Sequence, residues 1–310
     1  MTEHPGDKVL NAILRLFPRA YNGAKKQAEQ RLAAFLRPKE RTFRQKLSPK
    51  EYARRLQLVF TGLRWLMVRR KIATLFTDAD AQATEYVNDG LYEAFERGFN
   101  QSARIMGLVP ITAFVVKLLA SEGLFDIPRR TLKRSEDMAH NEHRVQTGVM
   151  SAILQGIDFD KIPAYVAEHI ARIRQNEMTA FSRATIYGAS DMGAYYAGRE
   201  AEHEGLDIEK TWLSIMDMRV RPSHKHLHGV TIKMDDMFHG YHGDLRFPHD
   251  PSAPPAEVYN CRCRMLVHLA GRTTKIPDTM GPEYQKWREK EIMKAGTEVE
   301  LARIHRKKLR

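Results

Sequence analysis

Apolar residues recur at three- and four-residue spacing through most of the first 205 positions, and that period is lost abruptly after Gly205. A 3.6-residue period predicts a mainly α-helical N-terminal region. Its clearest start is Ser48-Pro49-Lys50-Glu51, where Ser48 can cap, Pro49 takes the first helical position and Glu51 can close a capping box. From there Tyr52, Leu56, Val59, Phe60, Leu63, Leu66 and Met67 predict one apolar stripe on a helix running to about Phe76. The opposite face carries Arg54, Arg55, Arg64, Arg69, Arg70 and Lys71. Asp78 or Asp80 is expected to open a second long helix containing Tyr86, Leu91, Ala94, Phe95 and Phe99, stopped by Gly107 ahead of Pro110. Shorter helices are expected over 111–121, 136–154 and 162–174. The run 177–204 is rich in Ala and Gly, a density of small residues that predicts a helix packed closely against its neighbours.

Beyond Gly205, Pro and Gly become frequent, and short β-prone runs occur at 211–215, 230–232 and 257–269. The expected architecture is α+β. A mainly helical N-terminal domain over 1–205 precedes a small α+β domain over 206–270 and a basic C-terminal helix and tail over 271–310. That last helix would follow Pro282 and carry Tyr284, Trp287 and Ile292.

Composition narrows the class. Hydrophobic residues make up 43% of the 310 positions, enough to bury a core, so the chain is expected to fold. The longest uncharged apolar stretch, 105–116, has about 12 residues and contains Pro110, short of the roughly 20 a spanning helix needs. The first ten residues do not read as a secretory signal. Two cysteines one residue apart make a poor disulfide, which points to a reducing compartment. The formal charge of +12 is unevenly spread: residues 1–75 carry +13, 76–270 carry −6 and 271–310 carry +5. Both ends are basic and the middle is mildly acidic. Arg54, Arg55, Arg69, Arg70 and Lys71, with Arg306, Lys307, Lys308 and Arg310 in the tail, are the candidate contacts to a polyanion. Phosphate binding by such residues, with no base readout, would be non-specific and salt-sensitive.

Candidate chemistry is concentrated in 212–263. Here stand Trp212, then Asp217, Arg219, Arg221 and His224 in an Asp-x-Arg-x-Arg-x-x-His run, then Gly229, and finally Asn260-Cys261-Arg262-Cys263. Eight of the 13 histidines lie between 203 and 268. Three readings are open. In one, His224, Cys261 and Cys263 bind zinc, because two cysteines on one strand face and an imidazole suit a tetrahedral ion, with His228 or His249 as a fourth ligand. In another, His224, His226 and His228 with the cysteines serve a metal-dependent nuclease or phosphohydrolase. The third, which the residues favour, is structural. Asp217, Arg219 and Arg221 would share one side of an extended segment, with Asp217 pairing a guanidinium, and Arg262 would face away from the cysteines. Asn260 would hold a turn through its side-chain amide, Gly229 would supply a backbone angle that other residues resist, and Trp212 would anchor a small core.

The order of these motif residues closely resembles the head-morphogenesis domain of the phage Mu protein F family, the minor capsid proteins of tailed bacteriophages. The resemblance covers roughly 140–268, including the helix around Arg183-Ala184-Thr185. It implies a non-enzymatic minor head protein without a required cofactor, made in the host cytoplasm and placed in the virion, inside the capsid. Its implied partners are the portal protein, the procapsid shell or scaffold and non-specifically bound double-stranded DNA, with no membrane. In some members the domain is joined to toxin domains, and none is expected in these 310 residues.

Overall fold

In a computed structural model of the chain, residues 4–43 and 47–271 are described, together with 285, 286, 289 and 290. The expected C-terminal helix at Tyr284, Trp287 and Ile292, and the tail residues Arg306, Lys307, Lys308 and Arg310, lie outside the described residues. The α+β class holds: ten helices are followed by a three-stranded and a two-stranded antiparallel sheet among the described residues. The helices are α1 (Asp7–Leu14), α2 (Phe17–Leu36), α3 (Glu40–Phe43), α4 (Pro49–Val59), α5 (Gly62–Asp89), α6 (Leu91–Met106), α7 (Ala113–Ser121), α8 (Lys133–Glu136), α9 (Met138–Leu154) and α10 (Ile162–His203). Two compact units result. Among the described residues, an all-helical unit lies within Lys8–Leu91 and Asp126–Ile186, and a mixed unit takes 4–7, Tyr92–Phe125 and 187–271.

In the all-helical unit, Ser48 caps α4 as expected, accepting the Glu51 N–H at 3.3 Å. The helix does not continue to Phe76. It ends at Val59, and Gly62, whose φ of +82° suits glycine, begins α5. That helix runs straight through Asp78 and Asp80, so neither opens a new one. The restart changes which side chains face inward. Trp65, Ile72 and Phe76 are buried, whereas Leu63, Leu66 and Met67 are 75%, 43% and 57% exposed. Apolar spacing carries no mark of a short interruption in the helix, so the expected stripe loses its phase beyond Phe60.

Asp80 instead sits in the middle of α5 as the centre of a buried polar cluster. It accepts from the Tyr21 hydroxyl on α2 and forms an ion pair with Arg174 on α10. Asn141 on α9 accepts from Arg174 at 2.7 Å and donates to Thr77 at 2.8 Å. Burial pushes the Asp80 carboxyl up to about 6 even though the Arg174 charge opposes it. Four helices are thereby pinned by polar groups that must be paired once out of water.

The expected helices over 162–174 and 177–204 are one continuous helix, α10, because Gln175 and Asn176 at the junction do not break it. Its small residues do allow close packing within the mixed unit. A Cβ on Gly193 would lie 2.1 Å from the Phe95 carbonyl oxygen of α6, and one on Gly98 of α6 would lie 1.8 Å from the Ser190 carbonyl oxygen. Each backbone fills the space a side chain would need on the other. Gly107, with φ +77°, follows the end of α6 as expected.

The sheets occupy the same unit. β1 (Ile208–Leu213) is central and antiparallel to both β2 (Thr231–Lys233) and β5 (Arg264–Leu269), with Trp212 opposite Met265. Between them come α11 (Pro222–Leu227), the pair β3 (Phe238–His239) and β4 (Asp244–Leu245), and α12 (Pro255–Val258). The strand expected over 257–269 is therefore the end of α12, a loop and β5. Lys210 on β1 is fully buried, donating to the Met234 and Arg246 carbonyls at 2.9 Å each, and burial lowers its pKa to about 8. Among the described residues, no helix is long and apolar enough to cross a membrane.

Two substitutions test these packing arguments. Gly98→Ala forces a methyl group against backbone and is expected to cost about 1–3 kcal/mol or more. Asp80→Ala strands the buried Arg174 charge and is expected to cost about 3–5 kcal/mol. Denaturant unfolding of each variant is the check, and a loss below about 0.5 kcal/mol, the usual size of a neutral surface change, contradicts the argument at that site.

Candidate functional site

The site is built outward from Trp212, which is fully buried among Leu227, Phe238, Leu245, Cys261 and Cys263. Its ring meets those of His224 and Phe238 edge to face, each at 5.1 Å between centroids. The indole N–H donates to Ser214 Oγ at 3.1 Å, and that hydroxyl donates to the His224 carbonyl at 2.6 Å. Gly229, at φ +78°, donates its N–H to the Trp212 carbonyl at 2.8 Å. The expected roles of Trp212 as core anchor and Gly229 as turn residue thus meet in one arrangement.

Asp217, Arg219 and Arg221 do not share one side of an extended segment. Asp217 Oδ1 accepts the Arg219 and Val220 N–H groups at 2.9 and 3.1 Å, which curls the chain into a turn. The guanidinium that Asp217 pairs with is Arg262, through two bonds of 2.7 Å. Hydrogen bonding to Arg262 holds the Asp217 carboxyl below its ordinary range. Arg221 reaches the carbonyls of Ala256 and Tyr259 at the end of α12, and Arg219 is exposed. Asn260 turns the chain through its backbone, at φ +60°.

His224, Cys261 and Cys263 come together, all three buried, with their donor atoms within 4.8 Å of one another. His224 Nδ1 lies 3.4 Å from Cys261 Sγ and 3.3 Å from Cys263 Sγ. Its other nitrogen, Nε2, is 2.9 Å from Glu257 Oε2. Glu257 also accepts from the Ser223 hydroxyl and the His242 N–H, each at 2.9 Å. Burial works against its charge, but these donors and the imidazole hold the carboxyl below its ordinary range. The thiols lie on the loop before β5 rather than on a strand, and His224 is enclosed rather than solvated. Burial opposes ionisation of both thiols, while the neighbouring Cys261 thiol and the His224 imidazole draw the Cys263 pKa down. Beside the cluster lies a cavity of about 20 Å³, bordered by Arg219, Arg221, Asn260 and Arg262.

The other histidines do not join. His226 is exposed beside Tyr241, and His228 Nδ1 accepts the Ser214 N–H at 3.1 Å. His249 spans Asp191 Oδ2 and the Cys261 carbonyl at 3.0 Å each, so both its nitrogens face oxygen acceptors and neither is aimed at the cluster. The fourth ligand expected from His228 or His249 is therefore not supplied by either, and the three histidines of 224–228 do not converge. In a second buried group, His249 Nδ1 lies 3.0 Å from Asp191 Oδ2, His4 Nε2 lies 3.5 Å from Asp191 Oδ1, and His4 Nδ1 accepts the Gly6 N–H at 3.0 Å.

Sequence reasoning missed Glu257, Ser214, Ser223 and Asp191. Along the chain, Asp217, Asp235, Asp236, Asp244, Asp250 and Glu257 were equal candidates for a carboxylate beside His224. Of the basic residues, Arg54, Arg70 and Lys71 are exposed, while Arg55 and Arg69 are engaged by Glu51 at 2.7 Å and Glu142 at 2.8 Å.

With this geometry in view, residues 143–266 match the family model described as Phage Mu protein F like protein, in agreement with the resemblance read from the motif. The putative capsid assembly protein F of Escherichia phage Mu is 31% identical over 128 residues, 40% of this chain and 26% of that protein. The minor head protein GP7 of Bacillus phage SPP1 is 19% identical over 198 residues, 62% of this chain and 61% of that protein. An NAD(+)--arginine ADP-ribosyltransferase EFV of Enterococcus faecalis is 22% identical over 171 residues, 54% of this chain and 32% of that protein. The chain thus spans less than two thirds of the length of each of these relatives. No solved structure matches the chain.

The Asp217–Arg262 pair is half-buried and bidentate, and a double-mutant cycle with Asp217→Ala and Arg262→Ala is expected to return a coupling of about 1 kcal/mol near neutral pH. Because the folded carboxyl titrates below its ordinary value of 3.8, that contribution is present above pH 3.8 and lost as the pH falls through the lowered value. A coupling that did not shrink on acidification would show that the pair is not what holds the turn.

Proposed function

We propose that this chain, with its Phage Mu protein F like segment at 143–266, is a minor head protein of a tailed bacteriophage that acts in head morphogenesis. The family match is the observation that carries the reading, and the names of the Mu and SPP1 relatives, a capsid assembly protein and a minor head protein, agree with it. In this reading it is assembled in the host cytoplasm into the procapsid, through contacts with portal protein and the shell or scaffold. It then resides inside the capsid, in non-specific contact with packaged double-stranded DNA.

The molecule offers physical support. The motif residues spend their side chains on one another: Trp212 on the core, Asp217 on Arg262, Arg221 on carbonyls and His224 on Glu257. Such residues shape a module instead of presenting groups to a substrate. On α5, Leu63, Leu66 and Met67 stand exposed with Arg70 one further turn along, a mixed apolar and basic face suited to a protein partner. Arg54, Arg70 and Lys71 are the described basic residues proposed to meet DNA phosphates.

The rival, a metal-dependent nuclease or phosphohydrolase at 224–263, has less support. His226 faces away, His228 is bound to backbone, and a cavity of about 20 Å³ admits a water molecule but no phosphodiester. The transferase activity in the name of the Enterococcus relative is not carried over, since the match spans 32% of that protein.

Isolation of assembling heads is the decisive experiment, with the chain expected to co-purify with portal protein and to be present in procapsids. Its absence from both procapsids and virions rejects the proposal. For the DNA contact, the salt dependence of duplex binding is expected to flatten in an Arg54→Ala/Arg70→Ala/Lys71→Ala variant, by about 0.9 in slope for each phosphate contact removed. An unchanged slope would assign the DNA contact to other residues.

A further inference from the structure

We infer that His224, Cys261 and Cys263 form a zinc site, with a water molecule as fourth ligand. This goes beyond the assembly role and stands independently of it.

Four observations converge. The first is spacing. With Zn–S near 2.3 Å and Zn–N near 2.0 Å, a tetrahedral angle puts a bound sulfur and nitrogen about 3.5 Å apart. The two Sγ–Nδ1 distances are 3.4 and 3.3 Å, so one ion fits between the three atoms with little adjustment. The second is the choice of donors: two thiolates and an imidazole favour zinc over the hard oxygen-seeking cations.

The third is the support behind the histidine. A metal-bound imidazole usually donates its remaining N–H to a carboxylate, which fixes both tautomer and ring orientation. His224 Nε2 faces Glu257 at 2.9 Å, leaving the Nδ1 lone pair for the metal, and Glu257 is itself held by Ser223 and His242. The second buried group gives the contrast. In the His4, Asp191 and His249 group both His249 nitrogens already lie 3.0 Å from oxygen partners, Asp191 Oδ2 and the Cys261 carbonyl. The fourth is room for the last ligand: the adjoining cavity of about 20 Å³ exceeds the roughly 10–15 Å³ a single water requires.

The ion would clasp α11, which carries His224, to the loop ahead of β5, which carries both cysteines 37 and 39 residues further along. In a region whose strands have two to six residues, such a cross-link contributes directly to folding.

The test uses the full chain, produced with zinc supplied and purified under reducing conditions, with metal measured by elemental analysis and native mass spectrometry. Equimolar zinc is expected, together with a thermal midpoint that falls when a chelator removes it. Cobalt exchanged into the site is expected to show thiolate-to-metal charge transfer and the visible bands of a tetrahedral ion. Cys261→Ser/Cys263→Ser should lose the metal. Should that variant not fold, His224→Cys keeps three ligands and is expected to retain zinc, with stronger charge transfer in its cobalt form. The inference is overturned if the full chain holds less than about a tenth of an equivalent under zinc excess, far below what a site with two thiolates retains. It is equally overturned if zinc persists in the double-serine variant or if bound cobalt is octahedral.

Discussion

Burying Trp212 is the constraint around which the motif region is arranged. No single element there is large enough to cover an indole, since β1 has six residues and its neighbour β2 three. The cover must come from segments far apart in the chain: Leu227 from α11, Phe238 and Leu245 from the small hairpin, Cys261 and Cys263 from the loop before β5. Each must then be held by something other than a regular hydrogen-bond ladder. Arg262 on Asp217, Arg221 on the carbonyls of α12 and Glu257 on His224 serve that purpose. The polar motif residues exist because the apolar core is too small to order its own surroundings.

The second half of α10 provides the firm surface beside this region in the mixed unit. Gly188 lets the His249 backbone approach, and Asp191 one turn on receives the His249 ring, which also reaches the Cys261 carbonyl. The N–H of Met265 on β5 donates to the same Asp191 at 3.3 Å. A single buried carboxylate on a helix thus positions both ends of the segment that carries the cysteines. Burial would ordinarily raise its pKa, but the imidazoles of His249 and His4 keep it below the usual carboxylate range. The residues outside the family motif that matter most to the cluster are these helix positions.

Separation of roles follows from charge. The basic surplus belongs to the ends of the chain, whereas two of the three motif arginines, Arg262 and Arg221, are spent internally on Asp217 and on backbone carbonyls. The side chains that hold the motif region are therefore separate from Arg54, Arg70 and Lys71, the exposed basic residues of α4 and α5. The same helices show apolar side chains left outside the core at Leu58, Leu63, Leu66 and Met67, which a monomer gains nothing by exposing.

How much of this was legible in advance depends on the range of the interaction. Local signals were read correctly where the physics is local: Ser48 as a cap, Gly107 as a stop, the small residues of α10 as a close-packing face, Trp212 and Gly229 in their motif roles. The apolar stripe failed past Phe60 because a restart at Gly62 leaves no trace in residue spacing. The partner of Asp217 was sought among its neighbours and found 45 residues away, since a guanidinium pairs with whichever carboxylate the fold delivers. By itself the sequence determined the helical start, the α+β class, the basic ends and the order of a recognisable motif, all of which depend on side-chain identity and short spacing. Only the tertiary structure decided which histidine of eight meets the cysteines and which of the six carboxylates of 212–263 stands behind it. Those choices depend on distances between segments that chain order does not encode, and they close only when the core around Trp212 has formed.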